Sequence, residues 1–133
     1  MSDTSPISTI EPVATVRGLG QIMVRSTDVE RTVQFYKEAL GFVEAEEQIL
    51  SPGVTLTAGD ASIFISEGAA QRASGNDAAC CQVALIVPSA RAAYNDLKAA
   101  GAEMVDDIDG NEYFASFSIA DPDGVIISIW GRP

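Results

Sequence analysis

A unit of strand, turn, helix and stop occurs twice in this chain, and that repeat narrows what the chain can fold into. The first copy runs from Gln21 to Phe42. Gln21 to Ser26 begins with alternating polar and apolar residues of β-compatible type, which predicts a strand. Val29, Val33, Tyr36 and Leu40 then recur at the spacing of one helix face. Thr27 or Asp28 caps that helix; Thr27 has Glu30 three residues on, as a capping box requires, and Gly41 stands where a helix end needs positive φ. The second copy runs from Gln82 to Gly101, 61 residues downstream. At that offset Val29, Val33 and Tyr36 correspond to Ala90, Tyr94 and Leu97, Ser89 caps, and Gly101 stops a helix one residue shorter. About three β-like runs follow each copy, so the pattern is βαβββ twice.

Within 133 residues neither copy is large enough to bury a good core alone, so the two are expected to pack together as an α+β domain. Residues 1–17, rich in Ser, Thr and Pro, read as a mobile arm, although Val13 to Val16 suits a strand added to a partner's sheet. One domain over 18–133 is expected, with a first module over 18–67, a linker over 68–79 and a second module over 80–131. Strands are predicted over Gln21–Ser26, Phe42–Leu50, Val54–Ala58, Ala61–Ser66, Cys80–Val87, Glu103–Ile108, Glu112–Ile119 and Val125–Trp130, and helices over Val29–Leu40 and Ala90–Ala100. Ser51-Pro52-Gly53, Gly59-Asp60 and Asp121-Pro122-Asp123-Gly124 supply turns, since Pro presets φ and Gly takes positive φ.

The net charge of −11 argues against nucleic acid and anionic membranes as partners. It fits either a solvated acidic surface or electrostatic capture of a cationic ligand. No run approaches the roughly 18 apolar residues of a membrane span, and the N-terminus lacks the regions of a signal peptide, so a soluble cytoplasmic protein is expected. Cys80 and Cys81 are adjacent on a predicted strand and point to opposite faces, which favours reduced thiols over a bond between them; metal or redox chemistry is the sharper alternative.

Alternation assigns the strand faces. Ile22, Val24, Ile63, Ile65, Val83, Leu85, Val125, Ile127 and Ile129 are expected to meet the helices. The opposite face carries Gln21, Met23, Arg25, Ser62, Phe64, Gln82, Phe114, Ser116, Ser128 and Trp130. That mixture suits a lined cavity, or a sheet face covered by another subunit.

The strand opening at Gln21, Phe35-Tyr36 before Ala39-Leu40-Gly41, the second start at Gln82 and Asp121-Pro122-Asp123-Gly124 before the last strand together resemble the vicinal oxygen chelate superfamily. This is the group of glyoxalases, bleomycin-resistance proteins and extradiol dioxygenases. The resemblance spans about Gly18 to Trp130 and implies paired modules whose curved sheets surround a cleft, often in a homodimer. It also implies four metal-ligand positions, which fall here on Gln21, Phe64, Gln82 and Ser128. Two amides, a benzyl ring and a hydroxyl provide no anionic ligand, and the chain has no His, so neither metal nor cofactor is expected.

The resemblance then points to the drug-binding members, which sequester a small organic ligand. Trp130, Phe64 and Phe114 are expected to enclose a flat ligand, Met23 to line it, and Gln21, Gln82, Ser62, Ser116 and Ser128 to hydrogen-bond it. The rings suit an aromatic ligand, and the acidic balance fits a cationic one, such as a drug of the bleomycin class. The competing reading is a metal-independent isomerase, epimerase, cyclase or lyase, with Glu44, Glu46 or Glu112 moving a proton and Arg25 as oxyanion partner. A third is a scaffold that uses the fold only to dimerise.

Overall fold

The computed structural model describes residues 14–15, 18–68 and 83–133. Cys80, Cys81, Gln82, most of the 68–79 linker and most of the 1–17 arm lie outside the described residues.

Eleven elements follow in order: β1 (Ile22–Ser26), α1 (Val29–Leu40), β2 (Val43–Glu44), β3 (Val54–Ala58), β4 (Ala61–Glu67), β5 (Val83–Ser89), α2 (Ala90–Ala99), β6 (Glu103–Met104), β7 (Asp109–Gly110), β8 (Ala115–Ala120) and β9 (Ile126–Arg132). They form an α+β fold of two open, curved mixed sheets. The first has strand order β1-β4-β3-β2; the second has β5-β9-β8-β6, with β7 also paired to β8. In each module the first and last strands run parallel, Ile22 opposite Ile63 and Val83 opposite Ile127. No described helix is long and apolar enough to cross a membrane.

The helices start and stop on local chemistry. Asp28, rather than Thr27, caps α1 by accepting from the Arg31 N–H; no capping box forms, because the Thr27 hydroxyl is taken by Asp123. At the other end Gly41 adopts φ 75°, letting Phe42 N–H return to the Tyr36 carbonyl. In α2 the Ser89 hydroxyl accepts from Ala92 N–H, and the helix ends at Ala99, a residue earlier than the pattern suggests, before the left-handed Gly101.

Three strands fall well short of the sequence-based ranges, each because a polar side chain takes over from the backbone, while β7 lies where no strand is predicted and β5 and β9 each run two residues past their predicted ends. The run predicted over Phe42–Leu50 keeps only Val43–Glu44, since the Gln48 amide bonds Ala45 and Thr55 and the chain bends away. That over Glu103–Ile108 keeps Glu103–Met104, because the Asp106 carboxylate receives the Ser118 N–H at 2.6 Å and Asp107 the Tyr94 hydroxyl. The seventh run starts at Ala115 instead of Glu112, because Asn111 accepts from Tyr113 and Phe114 N–H in a turn.

The two modules share one core. Val24, Leu56, Ile63, Ile65, Val33 and Tyr36 of the first join Phe117, Ile119, Ile127, Ile129, Tyr94 and Leu97 of the second in a continuous buried cluster. The face assigned to the helices is the buried one, and its apolar area supplies the main driving force for docking the halves.

A polar lock reinforces that junction. Asp121, 2% exposed, accepts the Tyr36 hydroxyl at 3.0 Å and the N–H groups of Asp123 and Val125. Asp123 reaches the start of α1, accepting Ser26 Oγ at 2.7 Å, Thr27 N–H at 3.1 Å, Thr27 Oγ1 at 2.6 Å and Thr32 Oγ1 at 3.1 Å, with Arg31 3.5 Å away. Hydrogen bonds from Thr27, then Ser26 and Thr32, hold the Asp123 carboxyl well below the usual carboxylate range despite its partial burial. Burial, with the Asp121 charge beside it, pushes the Tyr36 phenol well up.

Candidate functional site

With one face of each sheet buried against the helices, alternate residues are left on a second, open face. In the first sheet that face carries Met23 and Arg25 of β1, Ser62, Phe64 and Ser66 of β4, and Thr55 and Thr57 of β3. Strand register sets Met23 and Thr55 on either side of Phe64, and Arg25 beside Ser66. In the second sheet Ala84, Ser128 and Ser118 form one cross-strand row and Ile86, Trp130 and Ser116 the next.

The two faces differ in how much ring they offer. Phe114 and Trp130 stack at 5.0 Å between centroids and 21° between planes, 39% and 38% exposed. The Trp130 indole N–H donates to Ser128 Oγ at 2.8 Å, which fixes the ring over the serine row. Phe64, by contrast, is only 6% exposed. Gly53 lies on its ring so closely that a Cβ there would stand 2.4 Å from Phe64 Cζ.

The predicted site residues therefore fall into two groups. Phe114, Ser116, Ser128 and Trp130 come together on the second sheet; Met23, Arg25, Ser62 and Phe64 share the first, with half-buried Gln21 just before β1. Gln82 is outside the described residues. Within one chain Phe64 lies on a different sheet from Trp130, beneath its own loop. A cavity of about 400 Å³ along β1 is lined by Met23, Arg25, Ser66, Val83 and Val125, without Phe64 or Trp130.

The candidate acids do not converge. Glu44 pairs with Leu56 on the helix side and binds Lys37 of α1 at 3.2 Å. Glu46 and Glu112 are exposed outside the strands. Arg25 is exposed and has no ion pair among the described residues, including none to Asp28.

Four residues escaped the sequence reading of this face or its support. Thr55 and Thr57 flank Phe64 and Ser62, a placement that needed the β3–β4 register. Arg132 extends the alternation of Ile126, Ser128 and Trp130 by one step, a signal present in the sequence. Asp123 looked like a turn residue, and its partners are 91 to 97 positions away.

The model of the Glyoxalase/Bleomycin resistance protein/Dioxygenase superfamily matches residues 18–129. The chain belongs to this superfamily. Among solved structures it is similar to a virulence protein from Salmonella typhimurium (TM-score 0.70, 20% identity, covering 90% of this chain and 100% of that one). It is likewise similar to TioX from Micromonospora sp. ML1 (0.65, 18%, 87% and 100%). The fosfomycin resistance protein FosX from Mesorhizobium loti is a third (0.66, 17%, 90% and 95%). At these identities the likeness is one of fold. No curated protein matches the chain.

Superfamily members that hold a metal need donors at four strand positions, and Phe64 and Ser128, described here at two of them, do not fit one. Phe64 presents a covered ring and Ser128 Oγ already accepts from Trp130. Among the described residues no three His, Cys, Asp or Glu side chains converge. A divalent ion prefers imidazole, thiolate or carboxylate donors.

Proposed function

We propose that this chain is a metal-free small-molecule-binding protein, that it takes an organic ligand with an aromatic body on its open sheet faces, and that it sequesters the ligand without chemistry. The stacked, half-exposed Phe114–Trp130 pair beside Ser116 and Ser128 carries this reading. Two rings held parallel in partial contact with water lose more water by covering a third flat ring than by facing solvent. Likeness to a fosfomycin resistance protein is consistent with a drug as the ligand.

The binding unit in this reading is a homodimer. Met23 and Ile86, 66% and 88% exposed, stand on the two open faces, and a second copy covering them would turn each open face into the wall of a cleft. Among the described residues no candidate acid is positioned for proton transfer on the open faces, so none favours the enzymatic alternative.

The test is titration of the chain and its Trp130→Ala variant with 2-naphthol, a neutral bicyclic ring. The reading expects the variant to bind about ten-fold more weakly, with the 2-naphthol recovered unaltered. Equal affinity for both chains would sink it.

A further inference from the structure

In an acidic chain, the inner strands of the open faces carry cations and no acid. Although the sequence carries a net −11, the outward-facing positions of β1, β3, β4, β5, β8 and β9 include no acid and two arginines, Arg25 and Arg132. Two acids share that face on its outer strands, Glu103 on β6 and Asp109 on β7; Asp109 stands opposite Ser116, and its carboxylate receives the Gly110 N–H at 2.8 Å. Neither guanidinium is ion-paired or set over a ring among the described residues. The other acids among the described residues lie in loops, on helices and on the core side of β2 and β4.

Arg132 has the more telling position. It follows Trp130 by two residues on β9, so both project from the same face about 7 Å apart. That is the distance from a ring stacked on the indole to a carboxylate attached at its edge. Guanidinium presents a planar fork that matches a carboxylate, and among the described residues Arg132 is the one cation on the outward face of the second sheet, which is otherwise furnished with the Ser116, Ser118 and Ser128 hydroxyls.

We propose that the ligand is an aromatic carboxylate, its ring on the Phe114–Trp130 stack and its carboxylate on Arg132. This rests on the open-face reading above and replaces the cationic ligand that net charge alone suggests. Long-range attraction from the acidic surface would act against such a ligand, so added salt should quicken its association while weakening the final ion pair.

The test compares three probes of one shape, 2-naphthoate, 2-naphthamide and 2-naphthylmethylammonium. Each is titrated into the full chain by calorimetry, with the indole N–H signal of Trp130, the single tryptophan, as the reporter of position. The expected result is 2-naphthoate binding about ten-fold tighter than the amide, the ammonium weakest, and the indole signal moving. In Arg132→Gln the carboxylate should lose its advantage while the amide binds as before. If the ammonium matches or beats the carboxylate while the indole signal moves, the ligand class is wrong and the open-face reading stands. A carboxylate preference that survives Arg132→Gln overturns the role given to Arg132. If no probe moves the indole signal, the open-face reading fails and this proposal with it.

Discussion

The turn between β8 and β9 and its counterpart between β3 and β4 occupy equivalent places in the two modules, yet they meet the other module in opposite ways. The first drives Asp121 and Asp123 into Tyr36, Ser26, Thr27 and Thr32. The second, Gly59-Asp60, borders an open cavity of about 440 Å³ lined by Leu40, Phe42, Ala84, Leu85 and Ile86. The 61-residue offset explains the contrast: Ser26, Thr32 and Tyr36 become Val87, Ala93 and Leu97, which offer no hydroxyl to bind. A backbone repeat sets where two elements meet, and side-chain identity decides whether they lock.

The same asymmetry separates the open faces. In the first module Gly53 and its loop cover Phe64, while in the second nothing described covers Trp130 to the same degree. One half is thus better placed to contribute support and the other an accessible ring.

Removing the lock should have the largest effect. Asp123→Ala strips four donors of a charged acceptor and is expected to cost about 3 kcal/mol in chemical denaturation, given about 1.5–3 kcal/mol for a hydrogen bond to a charged group and incomplete additivity. A cost below about 1 kcal/mol would show that the apolar core alone holds the halves.

Next in size, Tyr36→Phe should cost about 1.5 kcal/mol, because the buried Asp121 keeps its two backbone donors and loses only the phenol. At the unlocked turn, the exposed Asp60→Ala should change stability by no more than about 0.5 kcal/mol. Equal losses at Asp60 and Asp123 would erase the contrast.

The lock also gives stability a pH profile. The Asp123 carboxyl titrates lower folded than unfolded, so its contribution is complete above about pH 5 and is lost as pH falls through the carboxylate range. The Tyr36 phenol is raised, so its contribution holds below about pH 10 and is lost above it. Asp123→Asn should flatten the acid limb in urea melts and Tyr36→Phe the alkaline one.

Much of this architecture was legible because it is periodic. The alternation that set Ile63 and Ile65 inward, and the helical spacing of Val33 and Tyr36, needed only neighbours in sequence. What stayed hidden depended on distant or irregular contacts. Gln48 ends β2 by bonding Thr55, and Asp106 ends β6 by bonding Ser118, so side chains replaced ladder bonds where propensity favoured longer strands. The covering of Phe64 came from a loop whose path no period encodes. Grouping by face was correct for Ser116, Ser128 and Trp130, but alternation alone does not say which sheets face one another.

Native mass spectrometry of the intact protein, read against its denatured mass, tests most directly whether an organic ligand is held without a metal. The expected result is a dimer whose excess mass is zero or that of an organic molecule. One divalent ion per chain, retained through a chelator wash, would contradict it.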